Sequence, residues 1–218
     1  SSGHVKVVTK AYEKESSQLP NDLALFETNK IIQNLSVLYP NYFWTPRITF
    51  GGLLDTPNED GDTKEQGPVF GIGIDFHSKT SRQIEIWELE KYLLHGNLPK
   101  NTNDALISTK LAKQLSVNVG NTVTLISTTM DNAFTTYNFE ITGIFNLNKG
   151  QVDRQMMLVD ISSARQALGM EGAASEILGY HQSLYYNDNE ATSMRNDFNL
   201  TISDSITKVL RDEASHDA

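Results

Sequence analysis

Oxygen-bearing side chains crowd one short stretch of this sequence: Asp55, Asn58, Glu59, Asp60, Asp62 and Glu65. Such a cluster could supply the oxygen shell that a calcium ion takes. An EF-hand loop with Gly61 as its sixth residue, however, needs acids at its first and twelfth positions, and these are Thr56 and Gly67. The run 55–67, charged and carrying Pro57 and Gly67, therefore reads as a solvated acidic loop. Gly71-x-Gly73 follows an apolar run and invites a phosphate cradle. The third glycine of that fingerprint falls on Phe76, and no helix start follows. Two glycines in a strand more simply allow a bend or a close neighbouring backbone. The five histidines are His4, His77, His95, His181 and His216. None lies three or four residues from another, so no pair shares a helical face as zinc ligands do. There is no cysteine, which removes thiolate nucleophiles, disulfides and thiolate metal sites together. No Gly-x-Ser-x-Gly elbow is present. No catalytic, cofactor-binding or metal residue is assigned, and no cofactor is expected in this domain.

The apolar candidates are of another kind. Tyr42-Phe43-Trp44 and Tyr185-Tyr186 could bind an apolar ligand, but aromatic residues in strands usually form core or cross-strand pairs. Met130 and Phe134 stand at the tip of a predicted hairpin, which cannot bury two large side chains in its own sheet. They are candidate partner contacts, and burial of both would remove the idea. Asn34-x-Ser36 and Asn199-x-Thr201 match glycosylation sequons, a short pattern common by chance.

The elements that would carry these residues follow from periodicity. Ala105–Ser108 reads as a short apolar strand leading into a helix through Leu115, with Leu111, Ala112 and Leu115 on one face. Gly120-Asn121 makes a turn. Val123 and Leu125 alternate against polar neighbours, as do Phe139 and Ile141, so a half-buried hairpin follows. Upstream, His4–Tyr12 reads as a strand and 13–19 as a loop. A helix is expected from Pro20-Asn21-Asp22 to about Leu38, ended by Pro40. Tyr42–Leu54 reads as a strand that Pro46 makes an edge or bulged one. Pro68–Asp75 is a strand and Ser81–Leu94 a helix, broken by Gly96, Asn97 and Pro99. Downstream come a loop over 146–154, a strand over 155–161, a helix capped by Ser162 or Ser163 and stopped by Gly169, a strand over 177–186 and a helix over 189–198. The tail 204–210 is expected to be helical, and 215–218 frayed. The two ends of the chain look alike in plan, with a hairpin-rich middle. The expected fold class is α+β and two-lobed: one lobe from 1–79 with 151–218, the other an insertion over 80–150.

Composition narrows the function. The chain has 218 residues, 39% of them hydrophobic, enough to bury a core. With 18 basic against 27 acidic residues and a net charge of −9, a nucleic-acid partner is excluded, since phosphate binding needs a basic surplus. No apolar run is long enough to span a membrane. Ser1-Ser2-Gly3 reads as including a remnant of cloning.

The order and spacing of one set of residues is more specific. Leu111-Ala112, Leu115, Val117, Gly120 and Val123 are followed by Phe139, Ile141, Gly143, Ile144 and Phe145. Then come Asp153, Val159, Asp160, Ala164, Leu168, Gly169 and Met170. With Gly3–Val7, Arg47–Leu53 and Gly73-Ile74-Asp75, this pattern resembles the extracytoplasmic domain of MacB/LolC/FtsX-like ABC-transporter permeases over residues 3–186. Phe76 departs from it, standing where that family carries proline. The resemblance implies a non-enzymatic domain on the periplasmic face of the bacterial inner membrane, tethered by transmembrane helices at both ends. It names the lobe of the two chain ends porter-like and the insertion sabre-like. It implies that ATP hydrolysis by a separate cytoplasmic subunit or domain is transmitted here, in efflux or lipoprotein transport, to a hinged body. The implied partners are a second permease subunit, that ATPase, and a periplasmic adaptor or carrier. The alternatives are a free-standing secreted or cell-surface binding module, and a hydrolase whose site follows no known motif.

Overall fold

The computed structural model describes residues 3–147, 154–202 and 208–212. In chain order its elements are β1 (Val5–Thr9), α1 (Lys10–Glu15), α2 (Thr28–Leu38), β2 (Tyr42–Pro57), β3 (Thr63–Ile74), α3 (Gln83–Ile86), α4 (Leu89–Tyr92), β4 (Leu93–Gly96), β5 (Asp104–Ser108) and α5 (Thr109–Gln114). They continue with β6 (Thr122–Thr128), β7 (Phe134–Phe145), β8 (Met156–Asp160), α6 (Ile161–Leu168), β9 (Glu176–His181), α7 (Asp188–Asp197) and β10 (Lys208–Asp212). The fold is α+β, as the pattern of alternating periods requires.

Three strands pass into helices with no linker. The last strand residue is in each case the helix N-cap: Thr9, Ser108 and Asp160, all in extended backbone. Their side chains accept from the N–H groups of Tyr12, Leu111 and Ser162. An N-cap needs extended backbone and a short oxygen side chain, and a strand that ends in Thr, Ser or Asp supplies both. Asp160 thus takes the capping role expected of Ser162 or Ser163.

The chain forms two compact units, Ser1–Arg47 with Gly172–Ala218, and Ile48–Glu171. The first unit is an antiparallel sheet in the order β10-β1-β9-β2, to which β2 gives residues 42–47. Pro46 lies on the edge strand, where its missing N–H costs no ladder bond. One face carries Val5, Val7, Ile177, Tyr42 and Trp44, covered by Ile31 and Leu35 of α2 and by Ala191 and Met194 of α7. The opposite face carries a buried acid, Glu176, which receives Arg47 Nη2 at 3.0 Å and Lys6 Nζ at 3.7 Å. Helix α2 starts at Thr28, not near Asn21. The intervening residues form a 3-10 turn at Asn21–Leu23 and an isolated bridge from Leu25 to Ala174. Helix α1 replaces the expected strand end and loop. The tail is β-strand over 208–210, because its backbone completes the open edge of β1; residues 204–207 and 215–218 lie outside those described.

In the second unit, β6 pairs with both β2 and β7. The strands β2, β3, β8, β5, β7 and β6 therefore close into a barrel, with β4 added to the far end of β7. Two neighbours are parallel, β3 with β8 and β5 with β7. On the inward face of β2, Ile48, Phe50 and Leu54 stand opposite Gly73, Gly71 and Gly67 of β3. A Cβ on Gly71 would lie 2.0 Å from the Phe50 ring, and one on Gly73 would lie 2.8 Å from the Ala164 methyl of α6. The Gly-x-Gly pair is thus a packing device. The outer face of β3, β8 and β5 presents Ile72, Leu158 and Leu106 to Trp87 and Leu89.

Several expectations change here. Residues 55–57 and 63–67 belong to strands, so the acidic loop shrinks to the tip 58–62 of one long hairpin. The helix expected over 81–94 is two single turns, separated by Glu88 in left-handed backbone, and 93–94 belong to β4. Strand β9 ends at His181. The units divide at 47/48 and 171/172, not at 79/80 and 150/151. The reason is that β3 lies parallel against β8 from Phe70–Met156 to Ile74–Asp160, while α6 packs on Gly73, so these elements belong with the barrel. The loop expected over 146–154 lies largely outside the described residues.

Gly71→Ala is expected to destabilise by about 1–3 kcal/mol, the usual cost of overpacking a filled core. Chemical denaturation would read it. Pairing it with Phe50→Leu should recover part of the loss, because the smaller side chain vacates the space that the new methyl needs.

Candidate functional site

The β6–β7 hairpin ends in the loop Thr129–Ala133. The Thr129 N–H donates to the Ala133 carbonyl (2.8 Å), the Ala133 N–H donates back to Thr129 Oγ1 (3.2 Å), and Asn132 adopts left-handed backbone to close the turn. The tip is fastened to the C-terminal end of α6. The Met130 N–H donates to the Leu168 carbonyl at 3.0 Å, and Thr135 Oγ1 donates to the Ala167 carbonyl at 3.0 Å. Gly169, left-handed as a helix stop requires, faces Thr129. The result is a held loop that presents Phe134 outward at 74% exposure, with Met130 half-buried beside it. Phe134 is thus the exposed apolar side chain of the tip, with the ring free to be covered by a partner.

The other candidates assemble differently. The acidic tip folds around Asn58, whose Oδ1 accepts from the N–H groups of Asp60 and Asp62. Its oxygen is spent on the turn itself. Among the described residues no group of three or more His, Cys, Asp or Glu side chains is gathered as a metal would require. His77 Nε2 comes within 3.8 Å of Asp160 Oδ1, but Ser78 Oγ bonds to Thr80 Oγ1 rather than to the imidazole. His181 Nδ1 bonds to Ser183 Oγ at 2.6 Å. His95 lies on β4, and His216 falls outside the described residues. An open groove of about 560 Å³ runs beside the loop 76–81 and α3–α4. Its rim charges pair off, Arg82 with Glu85 and Lys91 with Glu88. The Arg82 guanidinium pulls the Glu85 carboxyl below its ordinary range.

Tyr42 and Trp44 are buried, and Phe43 stacks on Tyr180 at 5.4 Å, so that aromatic cluster is core and cross-strand packing. Tyr185 is 81% exposed in the turn after β9. Asn34 lies on the outer side of α2, and the second sequon, at Asn199, runs into residues whose side chains are not described.

Asp160 stands in the sequence pattern, but sequence reasoning gave it no role. It is 3% exposed, accepts from the N–H of Phe76 (3.2 Å) and of Ser162 (3.0 Å), and bonds the Ser162 hydroxyl. It therefore joins the exit of β3 to the start of α6. Its signal was an acid at a strand–helix boundary. Arg165, whose guanidinium burial pushes below its usual range, has Glu171, Asp160 and Asp75 nearby to hold it charged.

No known protein-family profile matches the chain, and no curated protein sequence matches it. Among solved structures, the periplasmic region of MacB from Actinobacillus actinomycetemcomitans aligns with a TM-score of 0.58. The alignment covers 95% of this chain and 87% of that one, at 14% identity. The chain has the fold of a MacB periplasmic region. At that identity the likeness is one of fold.

Asp160→Ala should cost about 2–4 kcal/mol, since it removes a cap and leaves buried N–H groups without acceptors. Asp160→Asn keeps an acceptor and should cost less. Thermal unfolding of both variants would show whether this order holds.

Proposed function

We propose that this chain is a non-enzymatic extracytoplasmic domain of a MacB/LolC-like ABC-transporter permease. The observation that carries the reading, beyond the shared fold, is the pairing of the two described chain ends. Val5 of β1 stands opposite Asp212 of β10. A domain inserted between two membrane helices must bring both its ends to one membrane, and ends paired in one sheet meet that requirement. No helix among the described residues is long and apolar enough to cross a membrane, so such helices would lie in flanking sequence.

In this reading the domain sits on the periplasmic face of the bacterial inner membrane. The first unit is its porter-like lobe, and the second contains its sabre-like part. A second permease subunit pairs with it in the membrane, and a separate ATPase subunit or domain works on the cytoplasmic side. Hydrolysis moves the membrane helices, and the movement enters the domain through β1 and β10. The domain then changes how it holds a transported molecule or a periplasmic adaptor. Met130 and Phe134 are the proposed contact with that partner, because they stand at a tip that hydrogen bonds fasten to the end of α6.

The reading frame on both sides of this segment tests the proposal. An apolar run of about 20 residues shortly before His4, and another soon after Asp212, is the expected result. A secretory signal upstream with a stop codon downstream would overturn it in favour of a secreted binding module. In the complete transporter, Phe134→Ser should weaken transport or adaptor capture at least about tenfold, as truncation of an interface anchor does. The isolated domain should keep its melting temperature, because the ring buries little. Unchanged transport would remove the tip from the site.

A further inference from the structure

The sheet end where the two chain ends meet also holds two histidines. His4 precedes β1, and its backbone N–H donates to the Gly179 carbonyl at 2.9 Å. Its ring Nδ1 accepts the backbone N–H of His181 at 3.0 Å. The ring stands edge-on to Tyr180 (5.6 Å) and Tyr186 (5.8 Å). His181 repeats the pattern one step on. Its Nδ1 accepts the Ser183 N–H at 3.1 Å and meets the Ser183 hydroxyl at 2.6 Å. The Leu184 N–H then donates to the His181 carbonyl at 2.8 Å, with Leu184 in left-handed backbone. Both imidazoles thus use Nδ1 as an acceptor for a backbone N–H, and only a nitrogen without a proton can accept.

We infer that His4 and His181 form an acid-released clasp that fastens the start of β1 to the turn after β9. A proton on His4 Nδ1 turns the acceptor into a donor pointed at another N–H, so the bond to His181 is lost and repulsion replaces it. A charge on the His181 ring opposes a charge on His4. Among the described side chains, the groups facing His4 are Tyr180 and His181 on β9 and Tyr186 in the turn. Tyr42 of β2 faces His181, and Asp188 of α7 reaches the Tyr186 hydroxyl. The electrostatics agree with the geometry. Burial first, and then the His181 charge, hold the His4 imidazole below its ordinary range, while a backbone hydrogen bond with Leu184 acts the other way.

The sign follows from linkage. The released turn takes up a proton at the ordinary histidine pKa, but the clasped one only at a lower pH. The clasp is therefore at full strength above about pH 6.5, weakens as pH falls from there, and reaches its minimum at the folded pKa. Opening should increase in total about tenfold for each unit between the two pKa values. The clasp belongs to the first unit and holds whether or not the chain is part of a permease.

The test is a titration of the 15N-labelled chain between about pH 7.5 and about pH 5, spanning the histidine range. Ring nitrogen shifts and amide exchange are followed together. The expected result is a His4 ring that titrates below 6.5, with exchange at His181, Ser183 and Leu184 rising in step. Amides of β8 should stay protected, and exchange rates are compared after correction for intrinsic pH dependence. His4→Phe keeps the ring's shape without the acceptor; its turn should already be open at neutral pH and indifferent to acid. Should that variant fail to fold, the titration of the unsubstituted chain decides alone. Ring titration of His4 at or above its ordinary pKa would overturn the inference. Turn opening that does not follow His4 protonation, or that persists unchanged in His4→Phe, would do the same.

Discussion

One contact sets the geometry of the second unit: the Phe50 ring lies where a side chain on Gly71 would have to be. The two residues face each other across the β2–β3 ladder, and the ring is wholly buried. Gly67 and Gly73 likewise stand opposite Leu54 and Ile48, while at the one remaining inward pair the sizes reverse, Val69 of β3 opposite Gly52 of β2. Filling by one strand and vacancy on its neighbour is how a small barrel reaches core density without a void. The same vacancy at Gly73 admits Ala164, and so brings α6 onto β3. From there the constraint propagates outward. Helix α6 ends at the hairpin tip, and its last carbonyls receive that tip's hydrogen bonds. The outward pose of Phe134 thus depends, through α6, on glycines of β3.

Capping is the second recurring device, and it explains why the elements are short and tightly joined. A strand that ends in Thr9, Ser108 or Asp160 delivers extended backbone and an oxygen acceptor at the place a helix begins. No loop entropy is spent on these junctions. Asp160 goes furthest, since its second oxygen holds Phe76 at the end of β3. A chain with no cysteine, and no metal cluster among its described residues, has its exits and entrances fixed by such buried hydrogen bonds.

Local pattern made part of this legible. The helix after Ser108, the β6–β7 hairpin and its tip, the strand at 156–160 and the stop at Gly169 all rest on near neighbours in sequence. What escaped was non-local. Nothing near Leu53–Asp55 announces that they pair with Thr124–Ile126, and that pairing is what closes the barrel. The tail looked helical by composition, yet its fate is decided by the vacant edge of β1, some two hundred positions away. The same holds for 55–57 and 63–67, where polar residues lie in strands because the long β2–β3 ladder carries them. Tertiary pairing overrides local propensity at such places. At the candidate site, the place of Met130 and Phe134 at a hairpin tip was legible from the alternating pattern, though of the two only Phe134 is exposed there and Met130 is half-buried. The role of Asp160 was not, because Phe76, which it joins to the start of α6, is distant in sequence.

The residues that carry the family-like pattern are almost all packing or turn residues. Leu111, Val123, Phe139, Ile141, Val159, Ala164, Leu168 and Met170 are buried, and Gly120 and Gly169 occupy left-handed backbone. Such positions tolerate exchange among apolar side chains of similar volume, so the pattern persists after most identities have drifted. A fold shared over nearly the whole chain at 14% identity is the expected consequence. It also explains why that likeness does not identify a ligand or partner. Core positions specify the scaffold, whereas discrimination between partners is a difference of contacts made at the surface. Phe134 and Tyr185 are the aromatic side chains this chain exposes most, and neither belongs to the shared pattern. Whatever distinguishes this protein from others of its fold must act through exposed side chains of that kind, presented on a frame that the buried pattern holds still.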